Sequence, residues 1–276
     1  MPIHVSEYPR GHAAVDAAAW RSALAAGEVM RGLWIASASD TAAEILGGAG
    51  ADWIIIDTEH SFCSPDRLLA QLRVLEAAPV FTVVRVGSRE PRELGTLLDL
   101  GARGLMVPMI ESAEDARRIV AATRYPPDGA RGVGGGFARA SRWNRVPDYL
   151  TNAESTFSLL AQVESVAGLE NLTAITAVDG IDAVFVGPAD LAGSMGLLGR
   201  PRDPRVRSAV LGAIETVRAA GKTAGVNAFD PDDAMAYAEA GAQLLGVGAD
   251  VTLLAQGATA LLERVTVPGR ASAGTT

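Results

Sequence analysis

Short runs that are apolar on both faces, separated by segments with helical spacing, recur along this chain and restrict it to a parallel sheet covered by helices. The runs fall at 33–36, 53–56, 80–86, 105–107, 157–163, 183–186, 223–226 and 244–247. Segments 65–77, 91–100, 113–123, 204–220 and 231–240 place apolar residues three to four apart, as one buried helix face requires. Pro65, Pro91, Pro204 and Pro231 stand at helix starts, where a missing N–H costs nothing. Several runs follow a junction such as Gly50-Ala51-Asp52, Gly101-Ala102-Arg103 or Gly241-Ala242-Gln243, where glycine can end a helix in the left-handed region. Eight such units in 276 residues predict an α/β fold, a single-domain (β/α)8 TIM barrel. A doubly wound open sheet is the alternative, disfavoured because no G-x-G-x-x-G follows the first run.

Three segments lie outside this repeat. A helix-like stretch, 13–27, precedes the first strand and is expected to close the barrel floor. Residues 1–12 and 267–276 read as poorly ordered tails, which leaves 13–266 as the barrel domain. The connection 125–149 is unusually long and contains Arg131-Gly132-Val133-Gly134-Gly135-Gly136. Without a following Lys-Ser/Thr its phosphate signal is weak, so a lid or a subunit contact is expected.

Composition excludes several functions. A net charge of −8 and pI near 5.0 argue against nucleic acid or anionic membrane as the main partner. The chain has neither an apolar stretch of about 20 residues nor the regions of a signal peptide, so a cytoplasmic protein is expected. The single cysteine, Cys63, rules out an internal disulfide and a cysteine metal cluster. Of the 24 basic residues only Lys222 is a lysine, and it starts a strand. It therefore belongs at the end of the barrel away from the chemistry, which leaves no amine for a Schiff base.

Side chains at the carboxyl ends of barrel strands converge on one rim. Asp57, Glu59 and His60 follow the second run, and His60 is the only histidine beyond the first dozen residues. Arg85 ends the third run, Gln162 and Glu164 the fifth, and Asp190 follows the sixth. Taken singly, these positions also suit helix caps and structural ion pairs. Taken together, they suit a site in which Glu164 and Asp190 offer oxygen donors to a hard divalent cation such as Mg²⁺ or Mn²⁺.

Asp57-Thr58-Glu59-His60-Ser61, Val107-Pro108-Met109-Ile110, Tyr125-Pro126-Pro127, Arg131-Gly132-Val133-Gly134, Ala138-Arg139-Ala140-Ser141-Arg142-Trp143-Asn144-Arg145, Gln162-Val163-Glu164 and Gly187-Pro188-Ala189-Asp190-Leu191 occur in this order. In these motifs the chain, from about residue 32 to 262, resembles the HpcH/HpaI aldolases, the class II metal-dependent 2-keto-3-deoxy acid aldolases. The resemblance implies reversible aldol cleavage through the enolate of pyruvate or hydroxypyruvate, with Mg²⁺, Mn²⁺ or Co²⁺ and no organic cofactor. It implies Glu164 and Asp190 as metal ligands, Arg85 and Gln162 at the oxo and carboxylate end, and the backbone around Gly187 and Ala189 on the carboxylate. His60, oriented by Asp57, would move protons through water, with Glu59 beside it. The resemblance also implies a last helix swapped between subunits, a hexamer of swapped dimers, and a neighbour's residue in the site, with Asp99 as the candidate. The chain departs from relatives at Gly135-Gly136 and at Asn227, where an apolar residue is common; both are expected to line the aldehyde pocket. Oxaloacetate decarboxylation, a CoA-ester lyase of the citrate-lyase type, and a non-catalytic keto-acid-binding barrel are the alternative functions.

Overall fold

Strands that are apolar on both faces can be exposed on neither, and in the computed structural model, which describes residues 15–265, they close on themselves. The elements in chain order are α1 (Ala17–Ala25), β1 (Met30–Ile35), α2 (Asp40–Gly47), β2 (Trp53–Asp57), α3 (Pro65–Leu75), β3 (Phe81–Arg85), α4 (Pro91–Asp99), β4 (Gly104–Val107) and α5 (Ala113–Thr123). They continue with α6 (Tyr149–Asn152), β5 (Ser158–Val163), α7 (Val166–Glu170), α8 (Leu172–Thr176), β6 (Ala183–Val186), α9 (Pro188–Ser194), α10 (Pro204–Ala219), β7 (Thr223–Asn227), α11 (Pro231–Glu239), β8 (Leu244–Ala249) and α12 (Asp250–Arg264). Each strand runs parallel to the next and β1 pairs with β8, which gives the (β/α)8 barrel expected from the sequence. Both tail segments, 1–12 and 267–276, lie outside the described residues.

Every residue of β2 through β6 is buried, yet the two faces of each strand meet different surroundings. Trp53, Ile55, Phe81, Val83, Leu160 and Phe185 fill the barrel interior. Ile54, Ile56, Val84, Leu159, Ala161 and Val184 pack against the helices. This alternation with period two, followed to the strand ends, turns Asp57, Arg85 and Gln162 inward.

The amino-terminal end of the barrel is sealed by α1. Its Trp20 is 1% exposed and stacks on Phe81 with ring centroids 4.3 Å apart, while Trp53 meets it at 6.0 Å. Phe81 and Trp53 begin their strands, so the helix closes the floor as expected.

The connection 125–149 leaves the carboxyl end of α5 and leads into β5, so it lies at the floor as well. There Ala140 N–H donates to the Asp99 carbonyl and Arg139 to the Leu100 carbonyl, each at 3.1 Å. Arg139 and Arg142 both pair with Glu76. This corrects the reading of 125–149 as a lid over its own rim: a helix-to-strand connection is confined to the end opposite the chemistry. Asp99, the last residue of α4, shares that end and accepts a 2.6 Å hydrogen bond from Arg131. The other departure is α12. Asp250 fixes its start by accepting from the amides of Ala36 and Ser37, at 2.9 and 3.2 Å, but none of its 15 residues is buried.

Trp20→Ala is expected to cost about 3–5 kcal/mol in urea-unfolding free energy, the range for deleting a buried aromatic. A loss below about 1 kcal/mol, typical of a surface change, would show that α1 does not close the floor.

Candidate active site

β2 and β3 end side by side, with Asp57 in register with Arg85. Arg85 Nε and Nη2 donate to the two carboxylate oxygens of Asp57 at 2.9 and 2.8 Å, and Nη1 lies 3.1 Å from Glu59 Oε2. The face of the guanidinium rests 4.6 Å over the Trp34 ring. Burial alone would lower the Arg85 pKa, but the hydrogen bond and charge of Asp57, with Glu59 and Glu164, outweigh it and raise the pKa. A planar fork gripped along its edge and on one face stays charged and keeps its orientation.

This arrangement corrects the role expected for Asp57. Its Oδ1 also accepts from the backbone amides of Glu59 and His60, at 3.0 and 3.4 Å, but the imidazole is not its partner. The His60 side chain is 66% exposed, and the carboxylate beside its Nε2 is Glu59, at 3.7 Å. The physical reason is register: Asp57 belongs to the inward face of β2, whereas His60 has left the strand and stands on the rim. Burial raises the Glu59 pKa, opposed by the charges of Arg85 and His60.

Across the barrel mouth, Glu164 follows β5 and is 3% exposed. Its Oε1 accepts from the Met109 backbone N–H at 3.0 Å, and its Oε2 from the Gln162 amide at 2.5 Å. Met109 presents that N–H from a left-handed backbone with φ +54°, a conformation costly for a side chain larger than glycine. Gly187 leaves room for the same carboxylate, since a Cβ there would stand 2.5 Å from Glu164 Oε2. Burial raises the Glu164 pKa to about 7; the Met109 and Gln162 hydrogen bonds oppose the shift, while the charges of Asp190 and Glu59 add to it. Asp190 lies in the first turn of α9 and is exposed.

Asp57, Glu59 and Glu164 thus act on a single guanidinium, and Asp190 adds its charge beside Glu59 and Glu164, an excess of negative charge that favours a cation. Gln162 Oε1 is buried at the same place without a hydrogen-bond partner. An oxygen-only donor set with surplus negative charge fits a hard divalent cation on Glu164 and Asp190. Among the described residues no group of three or more His, Cys, Asp or Glu side chains is placed to hold a metal. Two carboxylates alone would leave other positions of such a cation to water and substrate.

The remaining expected residues divide. Gly187 N–H is already committed to the Val163 carbonyl at 3.3 Å, while Ala189 is exposed in the first turn of α9. Asn227 is half-buried at the end of β7, where its Oδ1 accepts from Trp34 Nε1 at 2.8 Å. Asp99 and the Gly135-Gly136 pair lie at the opposite end and do not reach the rim of their own barrel; the expectation for Asp99 concerns a neighbouring subunit's site. Burial raises the Cys63 thiol pKa, which disfavours a thiolate nucleophile. Lys222 donates to the Ile181 carbonyl at 2.7 Å, at the amino-terminal end of the strands. Sequence reasoning gave no role to Trp34 or to Met109. For Trp34 a signal existed: it ends β1 on the face that carries Met30 and Gly32.

A family model described as HpcH/HpaI aldolase/citrate lyase matches residues 30–257. The chain belongs to that family. A 4-hydroxy-2-oxo-heptane-1,7-dioate aldolase from Salmonella dublin is 47% identical over 246 residues, 89% of this chain and 94% of the relative. Among solved structures, an HpcH/HpaI aldolase/citrate lyase family protein from Burkholderia cenocepacia J2315 matches with TM-score 0.86 and 40% identity, covering 90% of this chain and 98% of the other. A citrate synthase, SbnG, matches with TM-score 0.78 and 29% identity over 88% of this chain and 95% of its own.

The Asp57–Arg85 pair gives a direct test of the clamp. Asp57→Ala leaves a buried guanidinium without its main partner and is expected to cost about 3–5 kcal/mol in unfolding free energy. Asp57→Ala/Arg85→Met should cost less than the sum of the single changes, because the orphaned charge is gone. Strict additivity in urea unfolding would show that the two side chains act independently.

Proposed function

We propose that the protein is a class II aldolase, a carbon–carbon lyase that cleaves and forms 2-keto-3-deoxy or 2-keto-4-hydroxy acids, with pyruvate or hydroxypyruvate as donor and an aldehyde as acceptor. The observation that carries this reading is the buried carboxylate of Glu164, beside the unpartnered Gln162 Oε1 and across the barrel mouth from the fixed Arg85 guanidinium. Mg²⁺ or Mn²⁺, or alternatively Co²⁺, held by Glu164 and Asp190 would supply Lewis acidity at the 2-oxo group of the donor. Retro-aldol cleavage leaves negative charge on the enolate oxygen, and Arg85 offers a preorganised positive charge to it. Gln162 and the backbone at Ala189 orient the donor's oxo and carboxylate end. His60 stands in solvent at the rim, where it can take the proton of the acceptor-side hydroxyl through water and return it during condensation. Glu59, between His60 and Arg85, is placed to hold the imidazole. No organic cofactor is needed, because the 2-oxo group itself is the electron sink. Oxaloacetate decarboxylation, which yields the same enolate, is expected as a side activity.

Pyruvate methyl exchange in D₂O, followed by NMR with Mg²⁺, tests this reading without knowledge of the aldehyde. Exchange should stop with EDTA, return with Mg²⁺, and be lost in Arg85→Ala. No exchange of pyruvate or hydroxypyruvate with Mg²⁺, Mn²⁺ or Co²⁺ would overturn it.

Assembly and location belong to the same proposal. We place the chain in the cytoplasm, in keeping with its single cysteine and acidic pI near 5.0; among the described residues no helix is long and apolar enough to cross a membrane. On α12, Leu254 and Leu262 are 75% and 73% exposed, an apolar surface suited to a second copy of the chain in a swapped dimer. Phe137 and Trp143 present further apolar surface at the floor, beside Asp99, for contact between dimers in a hexamer. Light scattering should give six times the chain mass, and Leu254→Glu/Leu262→Glu should reduce it; a monomeric wild type would remove this part of the proposal.

A further inference from the structure

Asn227 touches the site through another side chain. Its Oδ1 accepts the indole N–H of Trp34 at 2.8 Å, and the face of that indole carries the Arg85 guanidinium, 4.6 Å from the ring centre. Phe185 meets the indole edge-to-face at 6.4 Å. The contact from Asn227 to Trp34 is unusual because it spans a strand: Trp34 is on β1, Asn227 on β7, and β8 runs between them. Gly246 of β8 lies in register with Asn227 and makes the crossing possible. A Cβ at Gly246 would stand 2.4 Å from Asn227 Oδ1 and 2.8 Å from Trp34 Nε1. Three adjacent strands thus share one arrangement: a gap on β8, an acceptor on β7 and a donor on β1, with the arginine on the donor's ring.

We propose that Asn227 is a positioning residue that fixes the Trp34 indole as the wall for Arg85, and through it sets the guanidinium's orientation for the donor half of the reaction. The proposal rests on the reading of Arg85 as the group facing the enolate oxygen. Asp57 and Glu59 hold the guanidinium along its edge, and the aromatic face bears on the tilt of its plane with an attraction that depends on ring orientation. An indole without its acceptor can swing about χ2, and the plane resting on it follows.

This role differs measurably from that of a residue lining the aldehyde pocket. Pyruvate methyl exchange involves no aldehyde, so an aldehyde contact would leave its rate unchanged. Asn227→Leu, which removes the acceptor, should slow exchange at saturating pyruvate roughly tenfold, the factor for about 1.4 kcal/mol of barrier. Trp34→Phe, which keeps an aromatic face but loses the N–H, should slow it similarly, and the double variant should be no slower than the slower single one. Asn227→Ser, too short to reach the indole, is the second variant should the leucine impair folding. Spectra of deuterated protein labelled with ¹⁵N at tryptophan and arginine give a readout independent of turnover. The Trp34 indole N–H signal, assigned by its loss in Trp34→Phe, should move upfield in Asn227→Leu, and the Arg85 Nε–H signal should lose its ring-current shift. Wild-type exchange rates in both Asn227 variants, additive losses in the double variant, or unmoved Trp34 and Arg85 signals would each overturn the proposal. Absence of exchange in the wild type would instead remove the aldolase reading, and the two signals would then decide the positioning role alone.

Discussion

A guanidinium can leave water only where its nitrogens find acceptors and its faces find partners, and the rim of this barrel is arranged around that requirement. Arg85 is 8% exposed, and the desolvation of such an ion costs several kcal/mol before any attraction is counted. Asp57 returns part of that cost through two short charge-assisted bonds, Glu59 adds a third contact, and Trp34 covers a face. The order of elements follows from this need. Trp34, Asp57 and Arg85 come from three consecutive strands, β1, β2 and β3, and all face inward; Asp57 and Arg85 are in register at the strand ends, and Trp34 is in register with Ile55, two residues before Asp57. The surplus of carboxylate that remains, centred on buried Glu164, is the electrostatic reason for the site's demand for a cation.

Most of the fold was legible in the sequence because strands buried on both faces cannot hide their composition. Seven elements illustrate the accuracy and its cause: segments 113–123 and 183–186 coincide with α5 and β6, and the helices that begin at Pro65, Pro91, Pro204 and Pro231 begin there in the structure, while 33–36 misses the start of β1. β1 starts at Met30, and its second residue, Arg31, is exposed, so the apolar run looks shorter than the strand. The short helices α7, α8 and α9 had no signature, since five to seven residues do not complete enough turns to show a period. The connection 125–149 shows a signal present but misapplied. Its length suggested a lid, yet its place between a helix and the following strand already assigns it to the floor.

At the site, the sequence located residues better than it paired them. Asp57, Arg85 and Gln162 sit at strand ends on the face that carries Trp53, Val83 and Leu160, so their convergence follows from period two alone. Which carboxylate faces the imidazole depends on where the chain leaves that register, and Asp57, still inside it, turned to Arg85 instead of His60. Met109 contributes a backbone N–H from a left-handed turn, a contribution that no side-chain pattern announces. Trp34 lay within reach of the same periodicity, but its role depends on Asn227, 193 residues away in the chain, and on Gly246 beyond it.

The helix that seals the floor gives the barrel a single doorway. With Trp20 stacked on Phe81 beneath the interior and the space above filled by Trp53, Ile55 and Phe185, nothing can pass through the axis. Both fragments of a cleaved substrate must therefore depart by the route along which the intact molecule arrived. If the oxo acid binds against Arg85 and Glu164 as proposed, it would sit behind the fragment nearer the mouth, and departure would be sequential, with the aldehyde first. In the synthetic direction the same placement would make the oxo acid the first to arrive, so that the cup is primed before its second reactant enters.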